Sequence, residues 1–254
     1  MRGWNKRNGV LRPSPVSVGG YVRCVVTEPD GSVVSDDTFT NTATNWSFYA
    51  CASWYSNQAS NSKGAIGGVA PPGYIAVGTG TLALTPSITD TSMFMEQYNT
   101  RRAFTFVSVY QGYTAQMTLS YTATDPDGTY TDAGLWDSLP QTVDLASNIA
   151  AGVTTIPLAS GAPAVSGGTV AGQYTTAYIN DTTNPEYISI ATTASAGASS
   201  WTIQSPTAYS HLAGVPIVAF TGNLFAHSAI NVTKGYGQQL TIQWSVPFQA
   251  GSVA

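Results

Sequence analysis

Charge is what this sequence has little of. Of 254 residues, 9 are Lys or Arg and 13 are Asp or Glu, where average usage of about 25% would supply roughly 60. Only 3 are Lys and 3 are Glu, so long amphipathic helices with a charged outer face are excluded. Cys24 and Cys51 are too few for a disulfide framework and lack CxxC spacing, which removes zinc and redox motifs. Buried thiols are the better reading, and their pairing stays open. A net charge of −4 gives no ground for nucleic-acid binding, which needs clustered Lys and Arg to neutralise phosphate. The basic start is not followed by the apolar stretch of about 7–15 residues that a signal peptide requires, so signal-peptide secretion is not expected. The uncharged run 145–180 is broken by Gly152, Pro157, Gly161, Pro163 and Gly167-Gly168, so no membrane segment is expected either.

What is present in quantity is Thr (33), Ser (26) and Gly (25), with 6 Trp, 14 Tyr and 8 Phe. Hydroxyl and β-branched residues favour strands and turns, and the aromatics can fill a core. The chain reads as all-β: an antiparallel, sandwich-like domain with one or two short helices and a second small β domain inserted. Tyr21 to Glu28 alternates, with Val22, Cys24 and Val26 on one face, and turns at Pro29-Asp30-Gly31 into a returning strand, Ser32 to Thr40. Asn45 can cap a helix with Phe48, Cys51, Ala52 and Tyr55 on one face. A loop is expected from Asn57 to Gly73, a strand from Tyr74 to Gly78, and a short helical turn from Asp90 or Thr91 to Glu96. Strands follow at Arg102 to Tyr110 and Gln116 to Thr124, then a turn at Asp125-Pro126-Asp127-Gly128. From about 141 to 219 short runs separated by Ala, Gly and Ser clusters replace this texture. The earlier style returns at Asn223 to Ile230 and Leu240 to Val246, around a Lys234-Gly235-Tyr236-Gly237 turn. The expected organisation is a basic arm (1–19), a main β domain (20–140 plus 220–254) and an inserted small β domain (141–219).

The residues that carry chemistry are sparse. His211 and His227 have no metal-ligand spacing, and each reads as a hydrogen-bonded structural histidine. Asp125-x-Asp127-Gly128 has the first beats of a calcium loop without its later ligands, and a type I turn explains it equally well. The pairs Asp36-Asp37 and Asp132 with Asp137 could serve glycoside hydrolysis only if held across a cleft, and exposed or turn-forming roles are expected instead. Trp46, Tyr49, Trp54 and Tyr55 could stack on sugars but at helical spacing read as core. Gly78-Thr79-Gly80 reads as a turn. No catalytic residue, cofactor or metal ligand is assigned.

Two features stand out in so uncharged a chain. Arg2, Lys6, Arg7 and Arg12 lie in an arm without a single acid and are expected to meet an acidic surface of a neighbouring subunit. Glu96 is the only Glu between 29 and 185, and Arg101 or Arg102 is placed to turn back and bind it bidentately as a structural ion pair.

Tyr74-Ile-Ala-Val-Gly-Thr-Gly80, with Pro86-Ser-Ile-Thr-Asp-Thr91 leading to Glu96 and Arg101-Arg102, resembles a block in tail, collar and neck proteins of tailed bacteriophages. Tyr130-Thr-Asp-Ala-Gly-Leu-Trp-Asp137 is similar to that family's strand-turn segment, with Asp132 as the acid before Ala-Gly-Leu. Asn223-Leu-Phe-Ala-His-Ser-Ala229, Leu240-Thr-Ile-Gln-Trp-Ser-Val-Pro-Phe248 and Asn41-Thr-Ala-Thr-Asn45 also resemble it. Residues 151–218 resemble a small β module of phage virion proteins. The resemblance implies a non-enzymatic virion component acting by assembly with copies of itself and other virion proteins, in neck, collar, tail or fibre attachment. The alternatives are capsid decoration, a head fibre, or an adhesin for a host-surface glycan using Trp201 or Tyr209.

Overall fold

The computed structural model describes residues 4–7, 10–13, 19–47, 71–80, 84–110 and 114–247. Seventeen strands follow in chain order. β1 (Trp4–Arg7) and β2 (Val10–Pro13) precede β3 (Gly19–Thr27), β4 (Val33–Ala43), β5 (Tyr74–Gly78), β6 (Arg102–Ala103), β7 (Thr105–Tyr110), β8 (Thr114–Tyr121) and β9 (Gly128–Trp136). Then come β10 (Gln141–Asp144), β11 (Thr155–Pro157), β12 (Thr176–Ile179), β13 (Glu186–Ser189), β14 (Ser200–Thr202) and β15 (Pro216–Ala219). β16 (Leu224–Lys234) and β17 (Gln239–Pro247) close the series. Every pairing between them is antiparallel, so the protein is all-β and sandwich-like.

Nine strands form one sheet in the order β6-β5-β9-β16-β4-β3-β17-β8-β7. Its two halves meet at β16 and β4 through only two residue pairs, Ala226 with Ala43 and His227 with Thr42. The sheet folds back there, because one core is shared by both halves. Val22, Cys24, Val26, Leu240, Ile242 and Trp244 from one half pack with Ile75, Val77, Leu135, Phe225 and Val232 from the other. These are the alternate residues of their strands, which is the period-2 burial a half-covered sheet demands. The terminal strands of the order, β6 and β7, are consecutive in sequence. The expected single strand Arg102 to Tyr110 is interrupted at Phe104, so the chain leaves one end of the sheet and joins the other, giving a nearly closed barrel.

Between 141 and 219 the strands pair only among themselves, as β10-β15-β12-β13 and β11-β14. Gln141 stands opposite Ala219, so chain entering and chain leaving this unit lie side by side. It has its own core of Ile156, Ile179, Ile190, Trp201 and Ile217 among others. β1 and β2 form a separate hairpin; Arg2 lies outside the described residues, and Lys6, Arg7 and Arg12 are placed there by their backbone.

One short helix begins at residues 45–47; Phe48, Cys51, Ala52 and Tyr55 lie outside the described residues, as do Tyr49, Trp54 and most of the expected 57–73 loop. Thr44 and Ser47 tie its start to β16, their hydroxyls donating to the Leu224 and Phe225 carbonyls. The helical turn expected from Asp90 or Thr91 to Glu96 is not formed; bends replace it. Its backbone donors are claimed elsewhere: the Phe94 amide, which a helix would give to the Asp90 carbonyl, donates to Asp132 at 2.9 Å, and the Gln97 amide donates to the Val77 carbonyl at 2.9 Å. A helix would have to give up both of these.

Candidate functional site

The charged side chains gather where the inserted unit joins the nine-stranded sheet. Glu96 and Arg101 are both buried, and Arg101 grips the carboxylate with two parallel bonds, Nε to Oε1 at 2.9 Å and Nη2 to Oε2 at 2.6 Å. Its remaining nitrogen, Nη1, donates to the Ser138 carbonyl at 3.1 Å and to that of Thr221. Those two residues flank the points at which the chain leaves and re-enters the main sheet, so one guanidinium ties both crossings. It also lies 3.7 Å from the centre of the Trp136 ring, a cation–π contact strengthened by burial. Burial pushes the Glu96 carboxyl above its ordinary value, with Arg101 opposing. Arg102 does not share this carboxylate; it binds Asp125 across the turn after β8.

His227 on β16 is sealed between two carboxylates, with Nδ1 2.8 Å from Asp90 and Nε2 3.2 Å from Asp132. Burial, the largest influence, pulls its pKa down, but hydrogen bonds and charge from Asp132 and Asp90 outweigh it and the net direction is up. Two acceptor-only carboxylates require both ring nitrogens to donate, which is the imidazolium. Asp132 also accepts from the Phe94 amide at 2.9 Å and Asp90 from the Ser87 amide at 2.8 Å. Gly78 is the last residue of β5, as the expected strand Tyr74 to Gly78 has it, and its lack of a side chain has a steric cause. A Cβ there would stand 2.2 Å from Asp132 Oδ1 and 2.4 Å from the Met95 carbonyl oxygen.

The other candidates are likewise tied into the fold. His211 is buried between Asp181 at 2.9 Å and Glu186 at 2.7 Å. Lys234, also buried, donates to Asp127 at 2.6 Å and to the Asp125 carbonyl at 3.0 Å, so protein cations occupy the place where the turn's acids would hold calcium. Among the described residues no three His, Cys, Asp or Glu side chains gather as a metal site. Asp132 and Asp137 do not converge: Asp132 is fully buried, which corrects the expected exposed role, while Asp137 accepts from the Asn223 amide at 2.8 Å and side chain at 2.6 Å. Asp36 and Asp37 are exposed, and Asp36 pairs with Arg23. Cys24 is unpaired and buried, which pushes its thiol up to about 12; Cys51 lies outside the described residues. Trp201 is 1% exposed, so it is a core residue and does not offer the glycan contact that the adhesin alternative assigns to it. Tyr209 is exposed.

Two clefts open along the same seam. One of about 640 Å³ is lined by neutral polar groups such as Asn45, Thr89, Ser166, Thr193 and Asn223 beside Phe220. The other, about 410 Å³, places Tyr98, Tyr178 and Tyr187 beside Arg102, Asp125 and Asn99. Tyr98 and Tyr178 stack at 4.4 Å, and the Tyr98 amide donates to the Tyr187 hydroxyl at 2.8 Å. The Glu96–Arg101 and Asp90–His227–Asp132 groups are buried within the main sheet, and the two units are joined by neutral bonds, Thr91 and Ser92 amides to the Gly172 carbonyl, the Ser92 hydroxyl to the Tyr174 carbonyl and the Tyr98 amide to the Tyr187 hydroxyl; the clefts are what a ligand would reach. Sequence reasoning found Glu96 with Arg101 but missed Asp90, Asp132 and Lys234 as partners of buried groups. The only available signal was their scarcity in so uncharged a chain.

Comparison with protein-family models, with curated proteins and with solved structures finds no match.

Proposed function

We propose that the chain is a structural component of a tailed-phage virion, in the neck, collar, tail or a fibre attachment, working as one of several copies. The phage assignment rests on the sequence resemblance of residues 74–102, 130–137, 223–229 and 240–248. The observation that carries the assembly reading is the pair of open strand edges. β7 is paired only with β8, and β4 from Val33 to Phe39 is paired only with β3, among the described residues. Open edges template pairing with another chain. The described Lys and Arg side chains of the sheet are held by internal carboxylates, so none of them blunts an open edge. Neutral hydrogen bonds from Thr91, Ser92 and Tyr98 to the inserted unit supply the rigidity a particle component needs. A reconstruction of the native particle tests this: the chain is expected in a symmetric set, and its absence, with purified protein monomeric at high concentration, would overturn the reading.

The tyrosine-lined cleft favours one second reading, contact with a host-surface glycan, because aromatic rings and a guanidinium–carboxylate pair suit sugar faces and hydroxyls. Tyr178→Ala is then expected to abolish glycan binding without loss of folding.

A further inference from the structure

We propose that the β1–β2 hairpin of one copy adds to the free edge of β4 in a second copy. This rests on the assembly reading and names its contact. β4 is 11 residues long, yet on the side away from β3 it meets β16 only at Thr42 and Ala43. The Ser228 hydroxyl donates to the Thr40 carbonyl at 2.9 Å. From Val33 to Phe39 no strand covers the outward backbone groups among the described residues. Val33 and Val34 are 62% and 51% exposed there. β4 carries no Lys, the usual blunting residue of an edge.

The edge is selective nonetheless. Asp37 lies opposite Cys24 in the ladder and therefore shares the face that Cys24 turns to the core. Exposed at the mouth of the sandwich, it has no cationic partner among the described residues, whereas neighbouring Asp36 is held by Arg23 at 2.7 Å. An inward-facing carboxylate discourages arbitrary strand addition. It accepts a strand that brings a cation.

The chain itself carries such a strand. Residues 1–19 hold Arg2, Lys6, Arg7 and Arg12 and no acid, a charge of +4, while residues 20–254 hold five basic and thirteen acidic residues, a charge of −8. Arg23, Arg101, Arg102 and Lys234 are already paired, so the cations the sequence leaves for Asp37 are Lys63 and the four of the arm, and the arm alone presents several together. Among the described residues the hairpin pairs with no other strand, and a two-stranded hairpin alone is marginal in water. The hairpin connects to Gly19, which stands opposite Thr42, at the end where His227 and Ala226 close β16 against β4. Donation of the hairpin from one copy to the next, returned by the second, closes a symmetric assembly.

The test uses the full-length chain, with mass by light scattering across protein concentration and ionic strength and folding by circular dichroism. Wild type is expected to associate more weakly as salt rises. Lys6→Glu, Arg7→Glu and Arg12→Glu together, or Asp37→Lys alone, are each expected to weaken association by roughly tenfold or more. Combining them is expected to restore it, which a folding defect would not do. Arg7→Cys mixed with Thr38→Cys is expected to give a covalent heterodimer on oxidation. Association unchanged in the charge variants with no cross-link overturns the hairpin contact and leaves multimeric assembly standing. A wild-type chain monomeric under every condition overturns the hairpin contact, and assembly itself then stands or falls on the particle reconstruction.

Discussion

The nine-stranded sheet and the 141–219 unit hold themselves together differently. The sheet uses strands of up to 11 residues around large side chains, with Trp136, Trp244, Tyr121 and Tyr130 among its most buried, and it contains every buried Lys and Arg among the described residues. The inserted unit uses strands of 3 or 4 residues around aliphatic side chains and one Trp. Its backbone is satisfied largely by single bonds between loops, such as Val165 with Ala194 in both directions at 3.0 Å. With no Lys or Arg between Ala103 and Thr233, its carboxylates Asp181 and Glu186 turn to His211. In the sheet region the buried ions are held partly by strands, at Asp132, His227 and Lys234, and partly by the segments between them, at Asp90, Glu96 and Arg101; the short strands rely on close packing and on turns.

The sharpest way to break this comparison is at the seam. Arg101→Leu leaves Glu96 buried without its partner and frees two crossing carbonyls, and is expected to cost about 3–5 kcal/mol. Thermal melting measures the loss, and amide exchange is expected to rise first around 137–140 and 220–223. Trp201→Ala is expected to cost about 3–4 kcal/mol within the inserted core. Exchange should rise throughout 141–219 while β3, β17 and β8 stay protected; equal loss in both would show one cooperative unit instead of two.

A smaller effect is expected from pH. His227 has a folded pKa raised above its ordinary value of 6.5, so its contribution is fully present below that value and is lost as pH rises through the folded pKa. Melting temperature is expected to fall on going alkaline from about neutral, and the difference between wild type and His227→Gln to shrink over the same range. The smallest effect belongs to Arg23→Gln, since the Arg23–Asp36 pair is exposed on both sides and solvent screens it. No measurable change in melting is expected.

Much of the sheet was legible because the forces that shape strands are local. Alternation in Tyr21 to Glu28 and Leu240 to Val246 put Val22, Cys24, Val26, Leu240, Ile242 and Trp244 on one face, and the same residues line the core. Turn chemistry at Pro29-Asp30-Gly31 placed the first hairpin, where Gly31 takes a φ of 87° that only glycine adopts without strain. Glu96 and Arg101 could be paired from sequence because they are five residues apart and nearly alone in charge. The bends at 91–96 went unread for the opposite reason: the Phe94 amide that would have made a helical bond is held by Asp132, 38 residues further along the chain.

By itself, then, the sequence determined the all-β class, the faces of the long strands, the change of texture near 141 and 219, and a basic arm on an acidic body, because periodicity, turn residues and charge are properties of neighbours in the chain. Tertiary structure alone decided that His227 would lie between Asp90 and Asp132, that Lys234 would answer Asp127, that Arg101 would tie both crossings and that β4 would keep an open edge. Each of these joins groups tens of residues or more apart, and burial sets their energy; only the closing of the sheet on itself fixes both.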